Sequence, residues 1–368
     1  MRPHLDRNCN HPKADRFLKS RRSKETTEAY HVALHYVLDP KVKGNLDQFL
    51  ELPKEDRENV LVDYISDKKH DLASSTLHMR IVACHSFLQD YEVLINWKRI
   101  RGILPINNPV ADDRAPTKEE IRKALATGSL LVRAVILVMA SCGCRVGALM
   151  GLELKDYTTI PLQDNKVGCL KLYKGSAEHY RAYLTPEAVE ALDLYLAFRK
   201  RKGESLGPES CLFVNRLGEP LTKNAVQSAM WANWLRCGVR PSTLKDKGKG
   251  RHEFKENHGF RKFFRTFAPI GMKPDTARDD VEVLLGHKLS YYKPPEQYLF
   301  EQFVRAIPSL AIGEAENLKV EMKEKEEEFN RKFEAFASKT SQDISALRLE
   351  VLQAHVLRNQ ASKGSSES

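Results

Sequence analysis

An aperiodic, proline-rich segment divides the sequence and limits the folds that it can adopt. Residues 104–117 read LPINNPVADDRAPT and hold three prolines and two asparagines without helical or strand periodicity. Proline interrupts helices and the hydrogen bonding of sheets, so such a stretch separates elements instead of continuing one. A chain of 368 residues is long enough for two domains. We therefore predict a linker over residues 107–116 with a separate domain on each side.

The residues before this linker have the pattern of a small all-helical domain. The segment SKETTEAYHVALHYVL begins with polar residues and then repeats apolar residues at spacings of three and four, as one face of a helix does. Similar patterns recur around residues 46–50, 58–66 and 75–91. We predict a helical core-binding domain over residues 24–106, preceded by a flexible basic arm over residues 1–23.

The residues after the linker mix helical and strand patterns. Thr117 and Glu120 predict a capping box that opens this second domain. Residues 166–173 and 179–184 alternate apolar and polar side chains and are joined by KGSAE, which predicts a hairpin. The other predicted elements are helices over residues 118–126, 130–152, 186–202 and 223–237 and an edge strand over residues 212–214. The fold class is therefore mainly α with a small β hairpin (α+β), and the second domain spans residues 117–308.

The last part of the chain has a pattern close to a heptad repeat. Between residues 309 and 358, apolar side chains recur near a seven-residue spacing with charged residues between them. This pattern is typical of a long helix that associates with another helix. We predict a C-terminal helix over residues 309–358 as a candidate coiled coil, followed by a disordered tail over residues 359–368.

The charge balance indicates an acidic partner. The 59 lysines and arginines exceed the 49 aspartates and glutamates, giving a formal net charge of +10. DNA phosphates are the commonest partner for such an excess. Four side chains of the basic loop PSTLKDKGKGRHEFKEN are candidate DNA contacts: Lys245, Lys247, Lys249 and Arg251. The alternative interpretation is a flexible loop whose charges are only solvated.

Several classes of protein are disfavoured by the sequence. No apolar stretch is long enough to span a bilayer, and no apolar leader opens the chain. The seven cysteines are scattered, as expected in a reducing cytoplasm. Cys9 with His11, and Cys142 with Cys144, lack a second ligand pair at zinc spacing, so no metal site is predicted. The expectation is a cytoplasmic, DNA-associated protein.

Two segments place cationic side chains against apolar sequence. In SCGCRVGALMGLELKDY, Arg145 follows an apolar helix, where a charge is costly unless it is paired or offered to a ligand. An ion pair with Glu153 or Asp156 is the alternative. In HGFRKFFRTFA, His258 and Arg261 are three residues apart and share one helix face. Two cationic donors on one face suit a phosphate oxyanion, and an ordinary surface helix is the alternative.

A third segment, VEVLLGHKLSYYKPPEQYLFEQF, combines a histidine with several tyrosines. Gly286 is a helix-ending residue, and His287 follows it directly. Tyr291, Tyr292 and Tyr298 lie downstream. A purely structural histidine is the alternative interpretation.

Together these segments resemble the tyrosine recombinase (phage integrase) family. The family's motifs are an arginine in Gly-x-Arg-x-x-x-Leu, a hairpin lysine, His-x-x-Arg, Gly-His and a C-terminal tyrosine. Here they stand in that order as GCRVGAL, YKGS, HGFR, LLGH and SYYKP, and the resemblance covers residues 24–308. It implies double-stranded DNA as the partner, a tetramer assembled on two DNA sites, and chemistry that needs no cofactor, ATP or metal.

The resemblance also implies a role for each matched residue. A tyrosine hydroxyl attacks a DNA phosphate and forms a 3′-phosphotyrosyl link. Arg145 and Arg261 hold the nonbridging oxygens as guanidinium donors. Lys174 protonates the leaving 5′ oxygen. His258 serves as general acid/base, and His287 donates a further hydrogen bond to the phosphate.

The sequence departs from the family pattern at three points. Ala148 stands where many members carry an acidic residue, and Lys262 stands where a second histidine is common. The usual spacing from Gly-His to the tyrosine ends here on Glu296. The string SYYKPPEQYLFEQF is similar to the archaeal branch of integrases, which favours Tyr292 as the nucleophile. Tyr291 and Tyr298 remain the alternatives.

Three functions are compatible with these residues. A site-specific recombinase or integrase is favoured, and the basic arm and long tail favour integration or excision of a mobile element. A type IB topoisomerase-like enzyme shares the same chemistry and is the first alternative. A catalytically inactive DNA-binding protein of the same fold is the second.

Overall fold

The computed structural model describes residues 11–38, 46–106, 114–163, 165–240 and 256–313, and, between 331 and 344, all but 333, 335 and 343. The chain divides into two compact units. Each unit has its own apolar core.

The described part of the first unit is helical. Its helices are α1 (Pro12–Lys19), α2 (Lys24–Val37), α3 (Leu46–Glu51), α4 (Lys54–Lys68), α5 (Ser74–Asp90) and α6 (Trp97–Gly102). Phe17, Phe49 and Phe87 are buried in the core that these helices share. Ser23 begins α2 by accepting a hydrogen bond from the backbone N–H of Thr26, which satisfies one of the free donors at the helix start.

Helix α1 corrects the prediction of a flexible arm. Ala14, Phe17 and Leu18 are buried, and the Phe17 ring packs edge-on against Phe87 with centroids 5.2 Å apart. The prediction was wrong for residues 12–19, because the abundant charges conceal a single apolar stripe that faces the core. Residues 1–10 lie outside the described residues.

The second unit combines a sheet with helices. Its helices are α7 (Lys118–Thr127), α8 (Leu130–Cys142), α9 (Pro186–Arg201), α10 (Lys223–Arg236), α11 (His258–Gly271), α12 (Ala277–Leu284) and α13 (Glu296–Leu310). Its strands are β1 (Tyr157–Leu162), β2 (Asn165–Leu172) and β3 (Tyr180–Leu184). The predicted fold class, mainly helical with a small sheet, is confirmed, and so is the capping box at Thr117.

The three strands form an antiparallel sheet in the order β1-β2-β3. The predicted hairpin corresponds to β2 and β3, with Leu170 opposite Ala182. Strand β1 was not predicted, because Pro161 argues against a strand. The residue is tolerated here because β1 lies at the edge of this sheet, where a missing N–H breaks no ladder. The edge strand predicted over residues 212–214 is wrong, since Val214 makes only an isolated bridge with Pro220.

Helix α11 lies at the centre of this unit's core. Phe260, Phe263 and Phe264 are fully buried, and Trp234 of α10 stacks on Phe260 with ring centroids 5.9 Å apart. The alternative of an ordinary surface helix is therefore wrong. A buried helix holds the side chains of its remaining face in a fixed position.

Helix α8 ends earlier than predicted. The apolar pattern predicts a helix to residue 152, but Gly143 adopts a left-handed conformation (φ 58°) and ends α8 after Cys142. A short 3₁₀ turn follows over Val146–Leu149. A Cβ atom at residue 143 would lie 2.6 Å from Leu285 and 2.9 Å from Phe264. Only glycine therefore fits this turn.

Gly143→Ala is expected to destabilise the second unit. The added methyl group meets packed side chains, and the left-handed backbone is strained for alanine, so we expect a loss of about 2–4 kcal/mol of unfolding free energy. Urea unfolding measures this loss. Gly207→Ala is the matched control, because a Cβ at Gly207 meets nothing within 4 Å. Equal stability of the two variants would contradict the packing role of Gly143.

The described residues beyond this unit's core are helical between 331 and 344. Phe336 and Ile344 are exposed there, and both belong to the predicted heptad-like pattern. The other residues of the predicted C-terminal helix beyond residue 313, and the tail, lie outside the described residues. No helix among the described residues is both long and apolar enough to cross a membrane.

Candidate active site

Arg261 joins three segments of the second unit. Its Nη1 donates to the carbonyl of Gly143, and its Nη2 donates to the carbonyl of Leu285, each at 3.0 Å. Its Nη2 also lies 2.9 Å from Nε2 of His287. The residue is 7% exposed. Burial lowers the pKa of Arg261, and the charge of Arg145 lowers this pKa further. The fold therefore holds a positive charge in surroundings that disfavour the charged form.

His287 is fixed at the end of α12. Gly286 has a left-handed backbone (φ 81°), and a Cβ there would lie 2.6 Å from the Tyr180 ring. His287 Nδ1 lies 2.5 Å from Oε2 of Glu282. Arg265 forms an ion pair of 2.5 Å with the other oxygen of Glu282. The predicted histidine and Arg261 are therefore in direct contact, and a carboxylate lies behind the histidine.

Arg145 lies near Arg261 but is exposed. It directly precedes the 3₁₀ turn that follows α8. Burial raises the pKa of the nearby Tyr173 hydroxyl, and the charge of Arg145 acts against this rise. Arg145 thus lies at the edge of the cluster, within electrostatic reach of both Tyr173 and Arg261.

An ion pair of Arg145 with Glu153 or Asp156 was the alternative to a role in phosphate binding, but each of these carboxylates contacts a lysine. Glu153 lies 2.6 Å from the ammonium of Lys155. Asp156 lies 3.3 Å from the ammonium of Lys174. Among the residues that the structure describes, Arg145 forms no ion pair with either carboxylate. Its charge therefore remains available to an anion.

Lys174 is held at the hairpin turn between β2 and β3. Tyr173 and Gly175 on either side have left-handed backbones (φ 54° and 77°). The Lys174 side chain is 56% exposed, whereas its partner Asp156 is 6% exposed. A buried carboxylate thus anchors a solvent-facing ammonium.

His258 begins α11, one turn before Arg261. It is exposed and follows Asn257, which is buried. His258 and Arg261 lie on the same face of α11, and the opposite face of this helix is buried. The positive end of the helix dipole is at His258, which favours an anion at this position.

The three candidate tyrosines have different environments. Tyr291 is fully exposed. Tyr292 donates a hydrogen bond of 2.7 Å to Oδ1 of Asp280. The hydroxyl of Tyr298 lies 2.7 Å from Oγ1 of Thr276 and donates to Oδ2 of Asp280 at 3.3 Å. Asp280 is completely buried.

The pKa of Tyr292 is raised by burial and then by its hydrogen bond to Asp280. In the described part of the chain, none of the three tyrosines forms a hydrogen bond to Arg145, Arg261 or His287. The structure brings the arginines and His287 together, but the hydroxyls of the three candidate nucleophiles Tyr291, Tyr292 and Tyr298 do not contact them among the described residues. Tyr292 or Tyr298 would have to leave Asp280 to reach the arginines.

Sequence reasoning missed two carboxylates at this site. Glu282 and Asp280 both lie on α12, and Glu282 lies within the apolar run VEVLL. No motif spacing marks either residue, because their partners lie across the end of the helix. A carboxylate within an apolar run is the one available signal, since a buried charge requires a partner.

The remaining predicted site residues belong to the basic loop. Lys245, Lys247, Lys249 and Arg251 lie outside the described residues. Among the residues that the structure does describe, no group of three or more histidine, cysteine, aspartate or glutamate side chains is arranged to hold a metal ion.

The architecture is shared with solved recombinases and integrases. No protein-family model matches the sequence, and no curated protein matches it. The XerH site-specific recombinase in a post-cleavage complex with a palindromic difH substrate aligns with a TM-score of 0.51 and 17% identity, covering 76% of this chain and 75% of that one. A lambda integrase(75-356) dimer bound to a COC′ core site aligns with a TM-score of 0.51 and 15% identity, covering 77% of this chain and 97% of that one. The chain therefore shares the fold of these recombinase and integrase structures.

Proposed function

We propose that this protein is a site-specific DNA recombinase or integrase that acts through a 3′-phosphotyrosine intermediate. The observation that carries the proposal is the cluster of Arg261, Arg145 and His287. Arg261 is buried and contacts two carbonyls and an imidazole, and no carboxylate contacts it among the described residues. A buried cation beside a second arginine, without a neutralising contact, suits a phosphate.

Each step of the proposed reaction is assigned to a residue of the second unit. Arg145 and Arg261 would bind the two nonbridging oxygens of a DNA phosphate and stabilise the charge that develops on them. A tyrosine oxygen would form a bond to phosphorus as the bond to the 5′ oxygen breaks. Lys174 would give its proton to that leaving oxygen, and His258 would act as general acid/base. The bond energy stays in the phosphotyrosine, so the step needs no ATP.

Tyr292 is the proposed nucleophile. Its support is the similarity of SYYKPPEQYLFEQF to the archaeal branch of integrases. In the described structure its hydroxyl donates to Asp280, and its raised pKa disfavours the phenolate that attacks phosphorus. DNA binding would therefore have to move Tyr292 toward the arginines. Tyr291, which is already exposed, and Tyr298 remain the alternative nucleophiles.

The proposed partner is double-stranded DNA, with self-association of four chains on two DNA sites. The basic loop with Lys245, Lys247, Lys249 and Arg251 would contact the backbone, so that affinity falls steeply with salt. Integration or excision of a mobile element is the proposed biological role. The C-terminal helix is a candidate for the contact between chains.

Covalent trapping tests the proposal. Purified protein is incubated with a library of nicked duplexes of randomised sequence, in which cleavage near the nick releases a short strand and prevents religation. We expect a DNA–protein adduct that survives SDS and is destroyed by protease. Retention of DNA without any adduct would instead support the inactive DNA-binding protein. Relaxation of supercoiled plasmid without joint molecules would support the topoisomerase-like alternative.

A further inference from the structure

The carboxylate of Glu282 lies between two cationic or ionisable side chains. One oxygen lies 2.5 Å from Nδ1 of His287, and the other lies 2.5 Å from the guanidinium of Arg265. The Glu282 side chain is 14% exposed, whereas the Arg265 side chain is 62% exposed. The backbone N–H of His287 also donates to the Glu282 carbonyl at 3.0 Å. Both the main chain and the side chain of Glu282 therefore hold His287.

These contacts select one tautomer of His287. A carboxylate only accepts, so the contact with Glu282 requires a proton on Nδ1. An arginine guanidinium only donates, so the contact between Arg261 and Nε2 requires a lone pair on Nε2. Both requirements are met by the neutral imidazole with its proton on Nδ1. In the DNA-free chain, Nε2 of His287 is thus an acceptor.

We propose that Glu282 is a positioning residue that prepares His287 to donate a hydrogen bond to the DNA phosphate. This inference rests on the proposed function. For Nε2 to donate to a phosphate oxygen, the ring must take up a proton from solvent at Nε2 and give up the hydrogen bond from Arg261. The resulting imidazolium keeps its Nδ1–H bond to Glu282, whose negative charge stabilises it.

Arg265 completes this arrangement by orienting the carboxylate. Its ion pair with one oxygen leaves the other oxygen directed at His287. The release of the guanidinium of Arg261 from Nε2 frees a donor for the same phosphate. Glu282 thus acts on Arg261 through His287.

The tautomer can be measured without any DNA cleavage. Nitrogen-15 NMR of the side-chain histidine signals distinguishes a protonated Nδ1 from a protonated Nε2, and a His287→Gln spectrum identifies the signal of His287. We expect the Nδ1–H tautomer in the DNA-free wild type and a mixed population in Glu282→Ala. An Nε2–H tautomer in the wild type, or an unchanged tautomer in Glu282→Ala, would overturn the inference.

Cleavage rates separate the charge of Glu282 from its hydrogen bond. In single-turnover trapping, Glu282→Ala is expected to lower the adduct-forming rate about 10- to 100-fold, as loss of a group behind an active-site histidine does. Glu282→Gln keeps an acceptor for Nδ1–H but loses the charge, so an intermediate rate is expected. Glu282→Asp should partly restore the rate. DNA affinity should be unchanged in all three variants.

The control variant is Glu301→Gln, because Glu301 is an exposed glutamate whose side chain contacts Gln297 on the same helix. It should cleave at the wild-type rate. If the wild type forms an adduct and folded Glu282→Ala matches its rate, the positioning role is lost while the proposed function stands. If the wild type forms no adduct, the proposed function fails, and the NMR result still decides whether Glu282 sets the tautomer of His287.

Discussion

Tyr292→Phe is expected to abolish formation of the covalent adduct while leaving DNA binding intact. The substitution removes only the phenolic oxygen, and loss of a nucleophile of this kind lowers the rate by at least about 10³-fold. Single-turnover trapping on the nicked duplex measures the rate, and a gel-shift titration measures DNA affinity. Fold stability should change little, because the partner Asp280 retains the hydrogen bond from Tyr298.

Tyr291→Phe and Tyr298→Phe are the matched controls for this substitution. Each removes one hydroxyl from the same segment, and each is expected to keep adduct formation. Tyr298→Phe also removes one of the two hydrogen bonds to Asp280. It therefore shows whether loss of a hydrogen bond to Asp280 is by itself enough to abolish adduct formation. If Tyr291→Phe abolished the adduct while Tyr292→Phe retained it, the assignment of Tyr292 would be wrong.

Arg261→Lys is expected to lower both the rate of adduct formation and the free energy of unfolding. Lysine keeps the charge but cannot bind a phosphate with two parallel donors. Removal of one preorganised donor to an oxyanion costs about 10²- to 10³-fold in rate. The carbonyls of Gly143 and Leu285 also lose their donors, and each buried group left unpaired costs about 1–3 kcal/mol.

The effect of Arg261→Lys on stability and its effect on the rate of adduct formation can be measured separately. Urea unfolding measures the stability of Arg261→Lys, and trapping at a temperature where the variant is fully folded measures its rate. Arg201→Lys is the control, because Arg201 is an exposed arginine in the last turn of α9. A fully folded Arg261→Lys with the wild-type rate of adduct formation would exclude Arg261 from phosphate binding.

Much of the second unit could be predicted from local sequence signals. The capping box at Thr117 and the hairpin between β2 and β3 depend on residues close together in the chain, and the structure confirms both. Strand β1 escaped prediction because its proline is acceptable only at an edge, and edge position is a property of the assembled sheet. The premature end of α8 depends on packing of Gly143 against Leu285, far away in the sequence.

The candidate site shows the same division. The motif order predicts the arginines and histidines as site residues, and the structure places Arg261 in contact with His287. The carboxylates that contact His287 and the candidate tyrosines could not be identified, because Glu282 and Asp280 act through tertiary contacts that no spacing encodes. The basic character of residues 12–19 similarly concealed a helix, since the average charge of a segment says nothing about which face is apolar.

Peptide mapping of the DNA-linked residue identifies the nucleophile and the chemistry of its link to DNA. The adduct trapped with wild-type protein is digested with protease and nuclease, and mass spectrometry identifies the amino acid that carries the nucleotide. We expect a nucleotide on Tyr292, joined through a 3′ phosphate. A nucleotide on a serine, or a link to a 5′ phosphate, would contradict the phosphotyrosine mechanism.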